Sequence, residues 1–363
     1  MKIIDWYILK RFLVTFLFTL LILIPIAIAI DVSEKIDNFL EHPNLGLNEV
    51  LNDYYLNFII YYTNTFMPLA LFIAVILFTS KLSSNTEIIA ITNAKVSFTR
   101  FLYPYFVGAT LVTVVSLAMN HYVVPNSSKI RKSFEKKYID NSKKVNALKY
   151  VSNFSLQLTD STYIFIRNFN IENNVGYDFN SETYDGFELK SKLSADNLRY
   201  NTKDSTFTLT RWRKRLIYKN RDRIFSGNKI DTVFNFTPKD FIYKSTFAQE
   251  MPSDELLKFI KISKKRGVKN LNAYLVELYK RTSLPIASYI LTIIAVALAF
   301  RKRRGGTGLN LAIGVAIMFL YVFFMKVGEV LGSVAGVNSL TYVWIPNIIF
   351  GLIAIYLYFH ARK

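Results

Sequence analysis

The sequence predicts an α-helical membrane protein with six transmembrane helices, three before and three after a strand-rich domain inserted on the outer side of the membrane. Three observations carry this reading. Apolar residues make up 52% of the 363 residues, the mean hydropathy is +0.23, and the excess gathers into runs of about 20 residues, the length that takes a helix across roughly 30 Å of hydrocarbon. Between the third and fourth runs the pattern changes to period-two alternation broken by turn-forming residues. Lysine and arginine recur in every second short connection, which sets the orientation.

Residues 1–11 read as an amphipathic lead-in at the interface, with Ile3, Ile4, Trp6, Tyr7 and Leu9 among Lys2, Lys10 and Arg11. Residues 12–30 then form a first span, bent near Pro25 and lacking the small-residue cleavage pattern of a signal peptide. The second span covers residues 58–78 and contains Pro68; the third covers 102–119. Residues 283–300, 309–331 and 342–359 supply the other three. No convincing repeat relates the two triplets.

The basic connections are the N-terminus (Lys2, Lys10, Arg11), the loop with Lys81, Lys95 and Arg100, the run Arg301, Lys302, Arg303, Arg304, and the tail with Arg362 and Lys363. All fall on one side. The connection at residues 31–53 sets Glu34, Asp37, Glu41 and Glu49 against Lys35 alone, and residues 332–340 are uncharged. Both termini are therefore expected in the cytoplasm and residues 120–282 on the outer side, because long domains translocate regardless of charge.

The organisation expected is residues 1–119 as lead-in and first three spans, with a short helix near 85–95; 120–252 as the β domain; 253–282 as a helical connector; and 283–363 as the last three spans. Alternation at 154–158, 162–166, 187–190, 206–210 and 232–236, separated by Asn173-Asn174, Asp185-Gly186, Asn201 and Gly227-Asn228, points to a β-sandwich or an open barrel. In the connector, Ser253 is the candidate N-cap, Leu256, Phe259 and Ile260 the apolar stripe, and Gly267 the stop, with a second helix running from Leu271 into span four.

Several chemistries are excluded. Cysteine is absent, so there are no disulfides, thiolate metal sites or thiol nucleophiles. His42, His121 and His360 show no ligand spacing. Gly305-Gly306-Thr307-Gly308 lacks the lysine and preceding strand of a phosphate-binding loop, and no hydrolase signature is present. No catalytic residue, metal or cofactor is expected, and a transporter subunit is favoured over an enzyme. The formal charge of +19 is accounted for by membrane flanks rather than nucleic acid.

A transporter without a motor must dock one. In the loop at residues 81–100, Asn85 or Thr86 can cap a helix opening with Glu87, and Ile88, Ile89 and Ile91 give it an apolar face that suits either a partner's groove or the bilayer surface. The run Glu87-Ile88-Ile89-Ala90-Ile91 followed by Ser97-Phe98 resembles the coupling segment of the LptF/LptG (YjgP/YjgQ) lipopolysaccharide export permeases. The start (Asp5, Tyr7, Ile8, Lys10, Phe12), Arg281 and Pro285 entering span four, and Pro346-Asn347 in span six match in the same order, over essentially the whole chain. Two departures stand out. Lys95 occupies a position where the family usually has glycine, and Asp31 and Glu34 lie beside Lys35 where the family carries basic residues.

The resemblance implies an inner-membrane permease half that pairs with a paralogous LptF/LptG permease around an LptB-like ATPase dimer. Its outer domain would be a β-jellyroll passing lipopolysaccharide to an LptC-like periplasmic bridge. Glu87, Ile88, Ile89 and Ile91 would seat in the ATPase. Phe12, Phe16 and Leu20 of span one and Phe319, Phe323 and Phe324 of span five would wall the lipid cavity, with Lys35 and Lys326 near the headgroup. Lys326 and Glu329 read equally as an i, i+3 pair. Arg211, Arg213, Lys214, Arg215, Lys219, Arg221 and Arg223 form either a basic ribbon for anionic sugar-phosphate or a solvated strand face. Two rivals remain: a lipoprotein-releasing or FtsX-like permease, which usually carries its domain between spans one and two, and a non-transporting scaffold.

Overall fold

The computed structural model describes residues 2–43, 45–139, 150–202, 204–218, 221–238, 245–265, 268, 271–300 and 306–362. Lys219, Gly267, Gly305, the run Arg301 to Arg304 and Lys363 lie outside the described residues. The chain divides into a helical unit (Met1–Ile139, Ala248–Leu256, Asn272–Lys363) and a second unit (Asp140–Phe247, Leu257–Leu271).

In the helical unit, α1 is Ile3–Leu40, α2 Leu47–Ser84, α3 Glu87–Asn93 and α4 Phe98–Tyr138. After the sheet and two connector helices, α5 (Ser245–Glu250) and α6 (Ser253–Lys265), come α7 (Asn272–Phe300), α8 (Gly306–Gly332) and α9 (Ser339–Arg362). Among the described residues, α1, α2, α4, α7, α8 and α9 are long and apolar enough to cross a membrane, and each contains one expected span. Within their apolar stretches 67% of α2 and α7 is buried, against 17% of α1 and 22% of α8. The former are therefore the centre of the bundle, and the latter present broad apolar faces outward.

Two boundaries differ from the sequence reading. Lead-in and first span are one unbroken helix, because nothing between Arg11 and Phe12 interrupts it and Asp5 caps its start by accepting from the Lys2 backbone N–H at 2.6 Å. The third span does not stop where its apolar run stops: α4 continues through a π-helical turn at Met119–Val123 as far as Tyr138.

Packing follows small residues. Phe12 is fully buried in a slot over Gly108, where an added Cβ would lie 2.1 Å from the ring, and it stacks on Tyr105 at 5.2 Å. Directional bonds join the inner helices: Asn64 Nδ2 donates to Asn120 Oδ1 (2.8 Å), Ser116 Oγ to Asn64 Oδ1 (2.9 Å), and Asn347 Nδ2 to the Ser283 carbonyl (2.8 Å). Side-chain amides can sit in hydrocarbon only when paired in this way.

The second unit holds β1 (Tyr150–Thr159), β2 (Thr162–Asn170), β3 (Val175–Asp185), β4 (Glu188–Asn201), β5 (Thr206–Leu216) and β6 (Arg223–Thr232) in one antiparallel sheet of order β1-β2-β3-β4-β5-β6. This meander stands nearer the open barrel than the two stacked sheets of a sandwich. The ladder is interrupted along one rank. Asn153, Arg167, Asp178, Asp196, Arg211 and Asn228 stand opposite one another between paired neighbours, yet none of them is a backbone ladder partner. Asn153, Asp178 and Arg211, on alternate strands, have φ of 53°, 55° and 51°, the left-handed region that non-glycine residues enter at a cost.

Inside–outside alternation slips by one residue at that rank. Ile164 and Ile166 are buried before it on β2 and Phe169 after it; Phe207 and Leu209 are buried before it on β5, and Trp212 turns inward beyond it. Residues from both sides share one apolar cluster. The rank is thus a crease across all six strands that lets both halves face the same core. Gly227, expected in a turn, lies inside β6, where an added Cβ would stand 2.9 Å from Trp212 Nε1.

Candidate functional site

α3 begins at Glu87, as expected, but both ends depart from ordinary helix geometry. Thr86 before it has φ of 63° and Lys95 after it φ of 59°. Thr86 is β-branched, for which this region is an outlier. Lys95 sits where a helix exit commonly takes glycine, and its N–H bonds to the Thr92 carbonyl at 2.9 Å. Lys95, where the resemblance leads one to expect glycine, itself holds the left-handed exit.

The isoleucines divide. Ile88 is buried at 3% in the chain's own core, Ile91 is half-buried, and Ile89 is exposed beside Ala90 and Thr92. The outward apolar face is therefore Ile89 with Ala90, narrower than the three-isoleucine face expected. Glu87 is tied to the bundle by two neutral donors: Tyr7 Oη to Oε2 and Asn85 Nδ2 to Oε1, both at 3.2 Å. Arg100 Nη2 donates to buried Asp5 at 2.6 Å. These contacts span 80 and 95 residues, so no local pattern announces them, although Asp5, Tyr7 and Glu87 all belong to the motifs that carry the resemblance.

The expected cavity wall is only partly on the surface. Phe12, Phe16 and Leu20 are buried inside the chain, Phe12 in the slot over Gly108. The outward face of α1 is instead Val14, Leu17, Phe18 and Leu21, spaced i, i+3, i+4, i+7. On α8, Phe319, Phe323 and Phe324 are exposed.

At the end of the bundle opposite the termini, Lys35 is engaged by Asp31 (2.8 Å), Glu135 (3.8 Å) and the Tyr54 hydroxyl. Glu329 accepts from Lys326 and from Lys280, each at 2.8 Å, and Lys326 is itself two-thirds exposed. That places two cations on one carboxylate, with Lys326 outermost. Arg281, which is 2% exposed, gathers the connector by donating to the Ala248 carbonyl (2.9 Å), the Met251 carbonyl (2.8 Å) and Ser253 Oγ (2.8 Å).

In the sheet unit, a groove of about 480 Å³ is lined by Leu193, Leu209, Trp212, Leu216, Phe225 and Ile230, with Lys214 at its wall. The basic ribbon is split: Arg211 pairs with Asp196 (2.8 Å), Arg215 with Asp222 (2.6 Å), and Arg223 lies over the Tyr218 ring. On the outer surface of the sheet Glu182 accepts from Lys192 at 2.8 Å and Tyr184 at 2.9 Å, and the Lys192 ammonium above all holds its carboxyl below the ordinary value.

Six apolar spans interrupted by one sheet domain, with a short anchored helix between the second and third, describe a polytopic membrane protein. The model of the lipopolysaccharide export system permease LptF/LptG family matches residues 6–360, and the chain belongs to that family. It is a multi-pass inner-membrane protein, and membership points to a transporter subunit rather than an enzyme. A sequence search of curated proteins found no match.

Proposed function

We propose that this chain is one permease half of an ATP-driven exporter that lifts lipopolysaccharide out of the inner membrane into its inserted β domain. Each buried CH₂ of lipid A favours hydrocarbon by about 0.8 kcal/mol, so extraction needs work that a partner must supply. The observation that carries the reading is α3, a seven-residue helix held between two left-handed residues with Ile89 and Ala90 outward and Glu87 bonded back to α1. Backbone strain of this kind persists where the surroundings over-determine it, as at docking and switch segments.

In this reading α3 seats in an LptB-like ATPase dimer, with both termini cytoplasmic and the sheet unit periplasmic. A paralogous permease encloses an apolar lipid cavity with the outward surfaces of α1 and α8, and Lys326 meets the anionic headgroup. The sheet groove with Lys214 accepts the lipid on its way to an LptC-like partner. Affinity purification from membranes in mild detergent tests it: a nucleotide-binding protein and a second six-span homologue should copurify, and Glu87→Lys should lose the former. Recovery of wild-type chain without an ATPase would refute the proposal. Reporter fusions locating Lys95 outside the cytoplasm would refute it independently.

A further inference from the structure

Arg11, at the start of the first apolar run, and Lys81, at the end of the second, line an open pocket of about 420 Å³ between α1, α2 and the start of α3. Its wall also holds Tyr7, Asn85 and Glu87, and its floor holds Val14, Leu77 and Phe78. Among the described residues neither cation has a carboxylate partner within salt-bridge distance. Glu87 lines the same pocket, its two oxygens accepting from the neutral donors Tyr7 and Asn85 rather than from either cation. Tyr7 also holds the Arg11 guanidinium 5.9 Å from its ring centroid, a preorganised position rather than a free one.

The apolar side of the pocket continues. Val14 begins the exposed stripe Val14, Leu17, Phe18, Leu21 that runs along α1 into the membrane-crossing part of the helix. Two unpaired cations at the mouth and an apolar track leading away from them match one class of ligand, a phosphate carried on an acyl chain. A free anion would use the cations and leave the track bare. An apolar ligand would leave the cations unmatched.

We propose that this pocket binds the phosphate of an anionic membrane lipid between Arg11 and Lys81, with an acyl chain along Val14, Leu17, Phe18 and Leu21. The site adjoins Glu87 through Tyr7, so its occupancy bears on how α3 is held. The proposal rests on the pocket and the spans, and stands whether or not α3 docks an ATPase.

The test uses the full chain in nanodiscs, with Trp212→Phe and Trp344→Phe leaving Trp6, next to Tyr7, as the sole tryptophan. Quenching by brominated acyl chains is compared between phosphatidylglycerol and phosphatidylcholine. Each cation near the surface contributes on the order of fivefold preference for an anionic headgroup, so the pair should give a preference well above that of one alone. Arg11→Ala with Lys81→Ala should bring it close to parity, while Lys10→Ala, outside the pocket, should leave it unchanged. No headgroup preference in the parent chain, or an equal loss with Lys10→Ala, overturns the site in favour of general surface charge. Loss of the preference in excess inorganic phosphate overturns the lipid in favour of a free anion. Native mass spectrometry of the chain with all its tryptophans, scored for retained phosphatidylglycerol with and without the Arg11 and Lys81 substitutions, gives the same decision if the tryptophan variants fold poorly.

Discussion

Lys95→Gly is the most direct test of the geometry at α3. Lys95 has φ of 59°, and a side chain in that region costs about 1–2 kcal/mol. Glycine removes this but gains freedom when the segment opens, at a cost of about 0.5–1 kcal/mol. The net gain of roughly 0.5–1 kcal/mol applies to local opening of the helix, so backbone exchange at its C-terminal end should slow about two- to fivefold while global unfolding hardly moves. Hydrogen–deuterium exchange of the peptide containing Ala94 and Lys95 in detergent is the assay. Both amides are bonded, to the Ala90 and Thr92 carbonyls at 3.1 and 2.9 Å, so their protection reports the helix exit itself. Lys95→Val sets the opposite sign, because a β-branched residue is least tolerated at positive φ. If glycine leaves exchange unchanged or speeds it, or if valine behaves like glycine, the left-handed exit is not what limits α3.

Further consequences concern packing, the connector and the sheet. Gly108→Ala drives a methyl group to 2.1 Å from the Phe12 ring and should destabilise by about 1–3 kcal/mol, lowering the unfolding temperature in detergent, with Phe12→Leu restoring most of it. Arg281→Met strips the donor from the Ala248 and Met251 carbonyls and Ser253 Oγ; at about 1–3 kcal/mol per bared acceptor, exchange and proteolysis around Met251 should rise sharply. Glu182 has a depressed carboxyl, so its contribution is present above the unfolded value near 4.3 and is lost as pH falls through the folded value. Glu182→Gln should flatten the acid limb of sheet unfolding, and an unchanged acid limb would remove that role.

What could be read from the chain beforehand was whatever is written locally. All six spans were legible because hydrocarbon demands long apolar runs, and the opening of α3 at Glu87 because an acid after Asn85-Thr86 marks a helix start. Helix ends were not: α4 passes Met119 into polar sequence, since backbone bonds continue whether or not the side chains stay apolar. β3 and β6 were not read as strands. β3 carries Asp178, Asn180, Ser181 and Glu182, and β6 is exposed along most of its length. The crease hid the rest, for a one-residue slip in β2 to β5 turns alternation into spacings of three, as between Ile166 and Phe169. In the site, the exposed faces of α1 and α3 differ from those expected for one reason. Apolar residues on a span serve the chain's own core and its outer surface alike, and only the partner decides: Gly108 takes Phe12 inward, while Val14 has no such slot.

The distribution of polar bonds sorts the helices further. In hydrocarbon, apolar contact between helices is scarcely better than contact with lipid, so relative position is fixed by close packing and by side-chain hydrogen bonds. α2, α4, α7 and α9 carry such bonds at mid-span: Asn64 with Asn120 and Ser116, Thr113 with the Pro285 carbonyl, Ser283 with Asn347. α8 joins them through Asn310 to Ser80 and Tyr321 to Asn347. α1 does not. Among the described residues, its hydroxyls between Arg11 and Asp31 bond only within the helix, Thr15 to the Arg11 carbonyl and Thr19 to the Thr15 carbonyl. Its polar ties to other helices lie at the two ends, Asp5 with Arg100 and Tyr7 with Glu87 at one, Asp31 and Lys35 with Tyr54 at the other. Between its ends α1 is therefore held against the body by packing, Phe12 over Gly108, and not by directional bonds. The Tyr7 hydroxyl at one of its ends is bonded to the same carboxylate that opens α3, so a displacement of α3 is felt at that end of α1.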